Sequence, residues 1–210
     1  MQKKQLIIFD MDGTLINSGD VISNTINYVR TNLGLEVMPK EELLININNP
    51  NINSSEFFYG TTAFTDEQTQ LFGEYYDKNC INDISLYDGI KELLENLSKH
   101  FILSIATNAS VEFARKMIEH LSIDHHFDYI IGANEVTTPK PHPEMLLNTV
   151  ESLKIEIKHS ILVGDSNKDK NAAVACEMDY LLVNWGFTKY DCSSVIANTT
   201  ELNEKLLSLR

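Results

Sequence analysis

Residues 6–15 read LIIFDMDGTL, an apolar run followed directly by two aspartates, a glycine and a threonine. The apolar part, Leu6–Phe9, is continuous and rich in β-branched residues, which is typical of a strand buried on both faces of a sheet. Comparable apolar runs recur along the chain at 101–106, 129–132, 160–164 and 180–184. A polar residue directly after such a run is a candidate for chemistry, because parallel sheets bind ligands beyond the carboxyl ends of their strands.

Helical patterns separate these apolar runs. Apolar residues recur at helical spacing in four segments, at 89–99, 111–121, 143–154 and 168–177. Strands that alternate with helices of this length predict an α/β fold, in which right-handed crossovers build a parallel sheet with helices on both faces.

Residues 16–86 interrupt this alternation. They contain amphipathic helical patterns at 20–33 and 65–80, and an Asn-rich passage at 46–55 that is predicted to be a loop. We therefore expect a small helical cap domain, inserted after the first strand of a larger core domain. The predicted boundaries are 1–15 and 87–210 for the core, and 16–86 for the cap segment.

The composition is that of a globular protein with an acidic surface. Of the 210 residues, 43% are hydrophobic and 22% are charged, and the formal net charge is -13. Such a charge disfavours binding to nucleic acid or to an anionic membrane, because both would repel the chain. We expect a small-molecule partner, a monomer or homodimer, and local positive charge wherever an anion binds.

The sequence predicts a cytoplasmic location. The apolar run at 6–9 is too short for the hydrophobic region of a signal peptide, and no stretch approaches the roughly 20 apolar residues of a membrane span. The three cysteines have no C-x-x-C spacing, which favours reduced thiols.

Asp10 and Asp12 follow the first predicted strand and are separated by a single residue. Two carboxylates this close repel each other, and burying both is costly unless they share a cation. Their hard oxygen ligands suit Mg²⁺, and Gly13 permits a sharp turn after the strand. An Asx-turn at the strand end is the alternative interpretation.

Polar residues also follow the second and third predicted strands. The hydroxyl of Thr107 and the amide of Asn108 can donate hydrogen bonds to phosphate oxygens, although the same pair is common in turns and helix caps. Lys140 lies between Pro139 and Pro141, which restrict the backbone and therefore the reach of the ammonium group. The alternative is an unconstrained surface lysine.

The fourth predicted strand is followed by two more carboxylates, Asp165 and Asp169. Their spacing of four residues places them on one side of the first turn of the next helix. They would add acidic ligands at the same edge of the sheet. The alternative is that Asp165 serves as the helix N-cap.

In this order, the four segments resemble the four signature motifs of the haloacid dehalogenase superfamily. DMDGTL at 10–15 matches the first motif, Thr107 the second, Lys140 the third, and Gly164 and Asp165 with Asp169 the fourth. The resemblance covers nearly the whole chain except the cap segment and implies a Rossmann-like core. The position of the cap resembles the phosphoglycolate phosphatase and β-phosphoglucomutase branch.

This resemblance implies a role for each motif residue. Asp10 resembles the nucleophile that forms an aspartyl phosphate, and Asp12 resembles the general acid and base, with its carbonyl on the metal. Thr107, Asn108 and Lys140 would bind the substrate phosphate. The implied Mg²⁺ ligands are Asp10, Asp12, Asp165 and Asp169.

The expected activity is Mg²⁺-dependent hydrolysis of a small phosphomonoester such as phosphoglycolate or a sugar phosphate. The dehalogenases and phosphonatases of this superfamily differ from this pattern at the position of Asp12. The aspartate present here therefore argues against both activities. A β-phosphoglucomutase-like phosphomutase and a non-catalytic phosphate-binding regulator remain alternatives. The mutases tend to carry a Gly, Ser and Arg run in the cap, whereas this cap has the Asn-rich passage and Arg30 as its one arginine. The candidate substrate contacts in the cap are Lys40, Asn48, Asn51, Tyr59 and Tyr76.

Overall fold

The computed structural model describes residues 3–192 and 194–210. In these residues the strands are β1 (Leu6–Phe9), β2 (Ile16–Asn17), β3 (Ser85–Leu86), β4 (Ile102–Ala106), β5 (Tyr129–Ile131), β6 (Ser160–Gly164) and β7 (Asp179–Leu182). The α-helices are α1 (Gly19–Asn32), α2 (Lys40–Ile47), α3 (Ser54–Tyr59), α4 (Asp66–Asn79), α5 (Ile90–Leu97), α6 (Val111–His120), α7 (Glu144–Leu153), α8 (Asn167–Ala175) and α9 (Thr199–Leu207). Within this part of the chain, no helix is both long enough and apolar enough to cross a membrane.

The central sheet has five parallel strands in the order β5-β4-β1-β6-β7. β1 lies in the middle, where Leu6 is paired with Ile102 on one side and with Ser160 on the other. The predicted α/β fold with a parallel sheet is confirmed. The last strand was predicted at 180–184, whereas β7 begins at Asp179 and ends at Leu182.

Helices cover both faces of the sheet, as predicted. Successive residues of a strand point to opposite faces, so β1 contributes to two cores. Ile7 and Phe9 pack in a core that includes residues of α5 and α6. Leu6 and Ile8 pack on the other face with residues of α7 and α8. All four residues of β1 are fully buried, which explains why this strand reads as an uninterrupted apolar run.

The cap segment contains α1 to α4, and a short antiparallel pair lies at its two ends. β2 pairs with β3, with Ile16 opposite Leu86. α1 packs against α4, and the rings of Tyr28 and Tyr75 are 4.6 Å apart. This pair brings the two ends of the cap segment together, and the division into a core and a cap domain stays a prediction.

The Asn-rich passage is only partly a loop. α2 ends inside the predicted loop at Ile47 and α3 begins inside it at Ser54, so the prediction holds only for residues 48–53. The Asn53 side chain caps α3 by accepting hydrogen bonds from the backbone N–H groups of Ser55 and Glu56. Helices of eight and six residues contain too few turns to produce a clear apolar repeat.

Candidate active site

The sheet topology brings the polar residues of three strand ends together. Asp10 follows β1, Thr107 follows β4 and Asp165 follows β6. Because β1 lies between β4 and β6, these three positions are adjacent at the carboxyl edge of the sheet. All three residues are buried. The structure thus joins segments that are far apart in sequence.

Three carboxylates form a buried group that we call the acidic cluster. Asp10, Asp165 and Asp169 each contribute an oxygen atom, and these atoms all lie within 4.8 Å of one another. Burial of three like charges is unfavourable without a compensating cation. Oxygen ligands of this type and spacing fit Mg²⁺. Asp12 does not contribute its side chain to this cluster.

Lys140 supplies positive charge to the acidic cluster. Its Nζ lies 2.6 Å from Oδ1 of Asp10 and 2.6 Å from Oδ1 of Asp169, and the residue is only 3% exposed. Burial alone would lower the pKa of Lys140, but the two carboxylates outweigh it and hold the pKa above its ordinary value. The alternative of an unconstrained surface lysine is wrong.

The carboxylate of Asp10 is held from both sides. Thr14 Oγ1 donates a hydrogen bond to Oδ2 at 3.3 Å, while Lys140 contacts Oδ1. Burial raises the pKa of Asp10 to about 7, opposed by Lys140 and reinforced by the charge of Asp169. A cation among these carboxylates would favour the ionised form that a nucleophile requires.

Asp12 has a different environment from Asp10. Its carboxylate accepts a hydrogen bond from the hydroxyl of Ser18, a contact that the sequence did not reveal. Burial raises the pKa of Asp12 to about 6, although the Ser18 hydrogen bond and Lys140 oppose this shift. A carboxyl group that titrates close to neutral pH can both donate and accept a proton, as a general acid and base must.

Backbone N–H groups hold Asp165. Oδ2 accepts hydrogen bonds from the N–H of Phe187 at 2.7 Å and of Thr188 at 3.4 Å. Burial, followed by the charges of Asp10 and Asp169, raises the pKa of Asp165 well above its ordinary value. These two contacts were not predicted from the sequence.

Two glycines allow the backbone to approach Asp165 closely. Gly13 has φ +85°, and a Cβ added there would lie 2.5 Å from Oδ2 of Asp165. A Cβ added at Gly186 would lie 2.3 Å from the same oxygen. The turn after β1 therefore needs glycine both for its conformation and for the space that the Asp165 carboxylate occupies.

Ser166, and not Asp165, is the N-cap of α8. The Ser166 side chain accepts a hydrogen bond from the N–H of Asp169, and the Asp169 carboxylate accepts one from the N–H of Ser166. The alternative interpretation of Asp165 is therefore wrong. A serine followed three residues later by an acidic residue is the sequence signal for this capping box.

Thr107 and Asn108 line a cavity beside Asp10. Oγ1 of Thr107 accepts a hydrogen bond from the N–H of Ala109 at 3.1 Å. The amide of Asn108 donates a hydrogen bond to the backbone carbonyl of Lys140 at 2.8 Å, so it stabilises the loop that carries Lys140. Phosphate binding by these two side chains stays a prediction.

The cavity has a volume of about 540 Å³ and extends from Asp10 and Asp12 to the cap segment. Of the five candidate substrate contacts, Asn48, Tyr59 and Tyr76 line it. Lys40 instead pairs with Asp20 at 2.7 Å on the surface. Lys40 and Asn51 are not among the described residues that line the cavity. The sequence did not single out the phenylalanines that form much of its wall.

Comparison with known proteins identifies relatives along most of the chain. A sequence model of a family described as haloacid dehalogenase-like hydrolase matches residues 7–183. The tyrosine-protein kinase PtkA of Mycobacterium tuberculosis is 28% identical over 191 residues. These residues cover 90% of this chain but only 65% of PtkA. The phosphoglycolate phosphatase of Haemophilus influenzae is 29% identical over 194 residues, which cover 87% of each chain.

A solved structure shares the fold. The crystal structure of a predicted phosphatase from Clostridium acetobutylicum superposes with a TM-score of 0.87. The match covers 99% of this chain and 100% of that chain, at 23% sequence identity. At this identity the likeness establishes the arrangement of helices and strands.

Proposed function

Because this chain belongs to the haloacid dehalogenase-like hydrolase family, we propose that it is a Mg²⁺-dependent phosphatase of a small phosphomonoester. The observation that carries the proposal is the contact between Lys140 and Asp10 within the acidic cluster, 2.6 Å long and buried at the edge of the sheet. In the proposal, Asp10 is the nucleophile and Lys140 supplies the fixed positive charge that an incoming phosphate needs. Because the chain has a formal net charge of -13, an anionic substrate needs such local positive charge to bind.

Each step of the proposed reaction uses a residue of this site. An Asp10 oxygen attacks phosphorus, an acyl phosphate bond forms, and the ester P–O bond breaks. Asp12 gives its proton to the leaving alkoxide, which departs as the alcohol. Asp12 then takes a proton from water, and the resulting attack on phosphorus releases phosphate and regenerates the Asp10 carboxylate.

The surrounding groups stabilise negative charge during these steps. Lys140 offsets the repulsion between Asp10 and the phosphate dianion, and the Thr107 hydroxyl donates to a phosphoryl oxygen. Asp165 and Asp169, with Asp10 and the carbonyl of Asp12, would hold Mg²⁺, which when bound neutralises charge on the phosphoryl oxygens. The fit of the acidic cluster to a hard cation supports this part of the proposal.

The test is phosphate release from a panel of phosphomonoesters, with Mg²⁺ and with EDTA. Asp10→Asn should abolish release, because the amide cannot form the acyl phosphate. Asp20→Asn is the matched control, because Asp20 is an exposed carboxylate on α1. Full activity in Asp10→Asn would contradict the nucleophile assignment.

Two other results would select an alternative. Isomerisation of β-glucose 1-phosphate without phosphate release would identify a phosphomutase. Inactivity in both assays, with phosphate binding retained in calorimetry, would identify a regulator. The proposal includes the cytoplasmic location, the monomer or homodimer and the absence of nucleic-acid or membrane partners that the sequence predicts. Light scattering of the purified protein measures the oligomeric state.

A further inference from the structure

The wall of the cavity above Asp10 is mainly apolar. Five phenylalanines contribute to it, three from the cap segment, one from α6 and one that follows β7: Phe58, Phe64, Phe72, Phe113 and Phe187. Its volume of about 540 Å³ lies within the range of sites that enclose organic ligands of moderate size. Asp10 and Asp12 line the same space, so the wall would contact whatever is esterified to the phosphate.

The apolar wall is built by helix faces. Ile22 and Ile26 are four residues apart on α1, and Phe72 and Tyr76 are four residues apart on α4, so each pair lies on one face of its helix. The rings of Phe72 and Tyr76 stack at 5.4 Å, and Phe113 meets Tyr76 edge-on at 5.0 Å. Packing of this kind gives a preformed aromatic surface.

Positive charge is scarce in this wall. Of the described residues that line the cavity, only Lys168 is cationic, and its ammonium donates to the carbonyl of Ile47 at 2.8 Å. Arg30 donates to the carbonyls of Glu36 and Phe58. A substrate carboxylate placed against the aromatic wall would lose hydration without gaining a charged partner there, which is costly.

The polar side chains of α4 that line the cavity already have partners within the protein. The Tyr76 hydroxyl is directed at the sulfur of Met117, 3.6 Å away. Gln68 is committed to the capping box of α4, where it exchanges hydrogen bonds with Thr65. A sugar, which carries several hydroxyls, would therefore find few partners on this face of α4, whereas an apolar ring would gain contact with Phe72 and Tyr76.

We propose that the leaving group of the substrate is an aromatic alcohol, so that the enzyme hydrolyses arylalkyl phosphomonoesters in preference to phosphoglycolate or sugar phosphates. This inference rests on the proposed phosphatase function and specifies its substrate class. The P–O bond to the alcohol breaks, Asp12 supplies the proton, and the neutral aromatic alcohol is the product.

Phe64 is the best residue for testing this proposal. It lies between α3 and α4, lines the cavity, and has its ring 6.0 Å from that of Tyr59. Because Phe64 is 56% exposed, its truncation removes contact with a ligand and little packing in the fold. Ile45 is the matched control, since it is 65% exposed on α2 and is not among the described lining residues.

The experiment compares kcat/KM for four esters of primary alcohols: benzyl phosphate, 1-naphthylmethyl phosphate, phosphoglycolate and glucose 6-phosphate. We expect the naphthylmethyl ester to exceed phosphoglycolate by at least about tenfold, from burial of the ring. Phe64→Ala should lower the naphthylmethyl value about fivefold and lower the phosphoglycolate value much less. Phe64→Arg should reduce the preference for the naphthylmethyl ester over phosphoglycolate further. Ile45→Ala should leave kcat/KM for both esters unchanged.

The outcomes separate this inference from the proposed function. Mg²⁺-dependent hydrolysis that favours phosphoglycolate or glucose 6-phosphate would overturn the aromatic leaving group and keep the phosphatase. If no ester is hydrolysed, the phosphatase proposal fails, and calorimetry tests the cavity by itself with two non-hydrolysable probes. Tighter binding of 1-naphthylmethylphosphonate than of phosphonoacetate, weakened by Phe64→Ala, would support the aromatic ligand. The reverse order, or no binding, would overturn it.

Discussion

The side-chain amide of Asn48 donates a hydrogen bond to Oδ1 of Asp165 at 3.2 Å. Asn48 follows α2 in the cap segment, whereas Asp165 follows β6 in the core. The contact joins the cap to the acidic cluster directly. The position of the cap and the orientation of the Asp165 carboxylate are therefore linked in this structure.

Asn48→Ala should destabilise the metal-free protein. The substitution removes a donor from a buried carboxylate, which typically costs about 1–3 kcal/mol. Urea unfolding in EDTA measures the loss. Asn32→Ala is the control, because Asn32 is exposed and its amide bonds only to the carbonyl of Tyr28 in its own helix. Equal stability of the two variants would show that the cap contact has no energetic role.

Lys140→Met should abolish activity and reduce stability. It leaves the carboxylates of Asp10 and Asp169 buried without their common partner, and breaking a buried ion pair costs about 3–5 kcal/mol. Lys158→Met removes a solvent-exposed pair with Glu156, which water screens, and should therefore cost much less than Lys140→Met. Denaturant melts of both variants provide the comparison. A Lys140→Met protein as stable as Lys158→Met would argue against the buried pairing.

Gly13→Ala should be more destabilising than Gly34→Ala. Both glycines have positive φ, at +85° and +71°, so both variants carry similar backbone strain. Only at Gly13 does the added Cβ approach Asp165, whereas nothing lies within 4 Å at Gly34. The difference between the two melting temperatures measures the steric effect alone. We also expect Gly13→Ala to weaken Mg²⁺ binding in calorimetry, and unchanged affinity would exclude a distorted site.

The metal-free protein should lose stability as the pH rises from about 4 to 7. Burial raises the pKa of Asp12 from 3.8 to about 6, so the folded state holds a proton that the unfolded state has released. Stability from this group is complete below pH 3.8 and is lost as the pH passes 6, by roughly 3 kcal/mol.

Asp12→Asn tests this pH dependence, because the amide does not titrate. Urea unfolding in EDTA at several pH values should show a shallower decline for Asp12→Asn than for the unmodified protein. Asp83→Asn, which changes an exposed carboxylate, should leave the decline of stability with pH unchanged. If the free energy of unfolding changes with pH to the same extent in all three proteins, Asp12 is not the source of the pH dependence.

The amino-acid pattern was sufficient to predict the architecture and the position of the acidic cluster. Buried strands must be apolar throughout, and residues after neighbouring parallel strands meet at one edge. The strands around Leu6–Phe9 and the grouping of Asp10 with Asp165 and Asp169 follow from these local rules. Short elements such as α3 were missed, because six residues do not establish a helical period.

Tertiary packing decided the surroundings of that cluster. The amide of Phe187 reaches Asp165, Asn48 reaches it from the cap, and Phe72 faces the cavity. None of these contacts has a local signal, because each depends on how a separate segment docks on the sheet edge. Periodicity and spacing describe one segment at a time, whereas the carboxylate partners and the aromatic wall arise only where several segments meet.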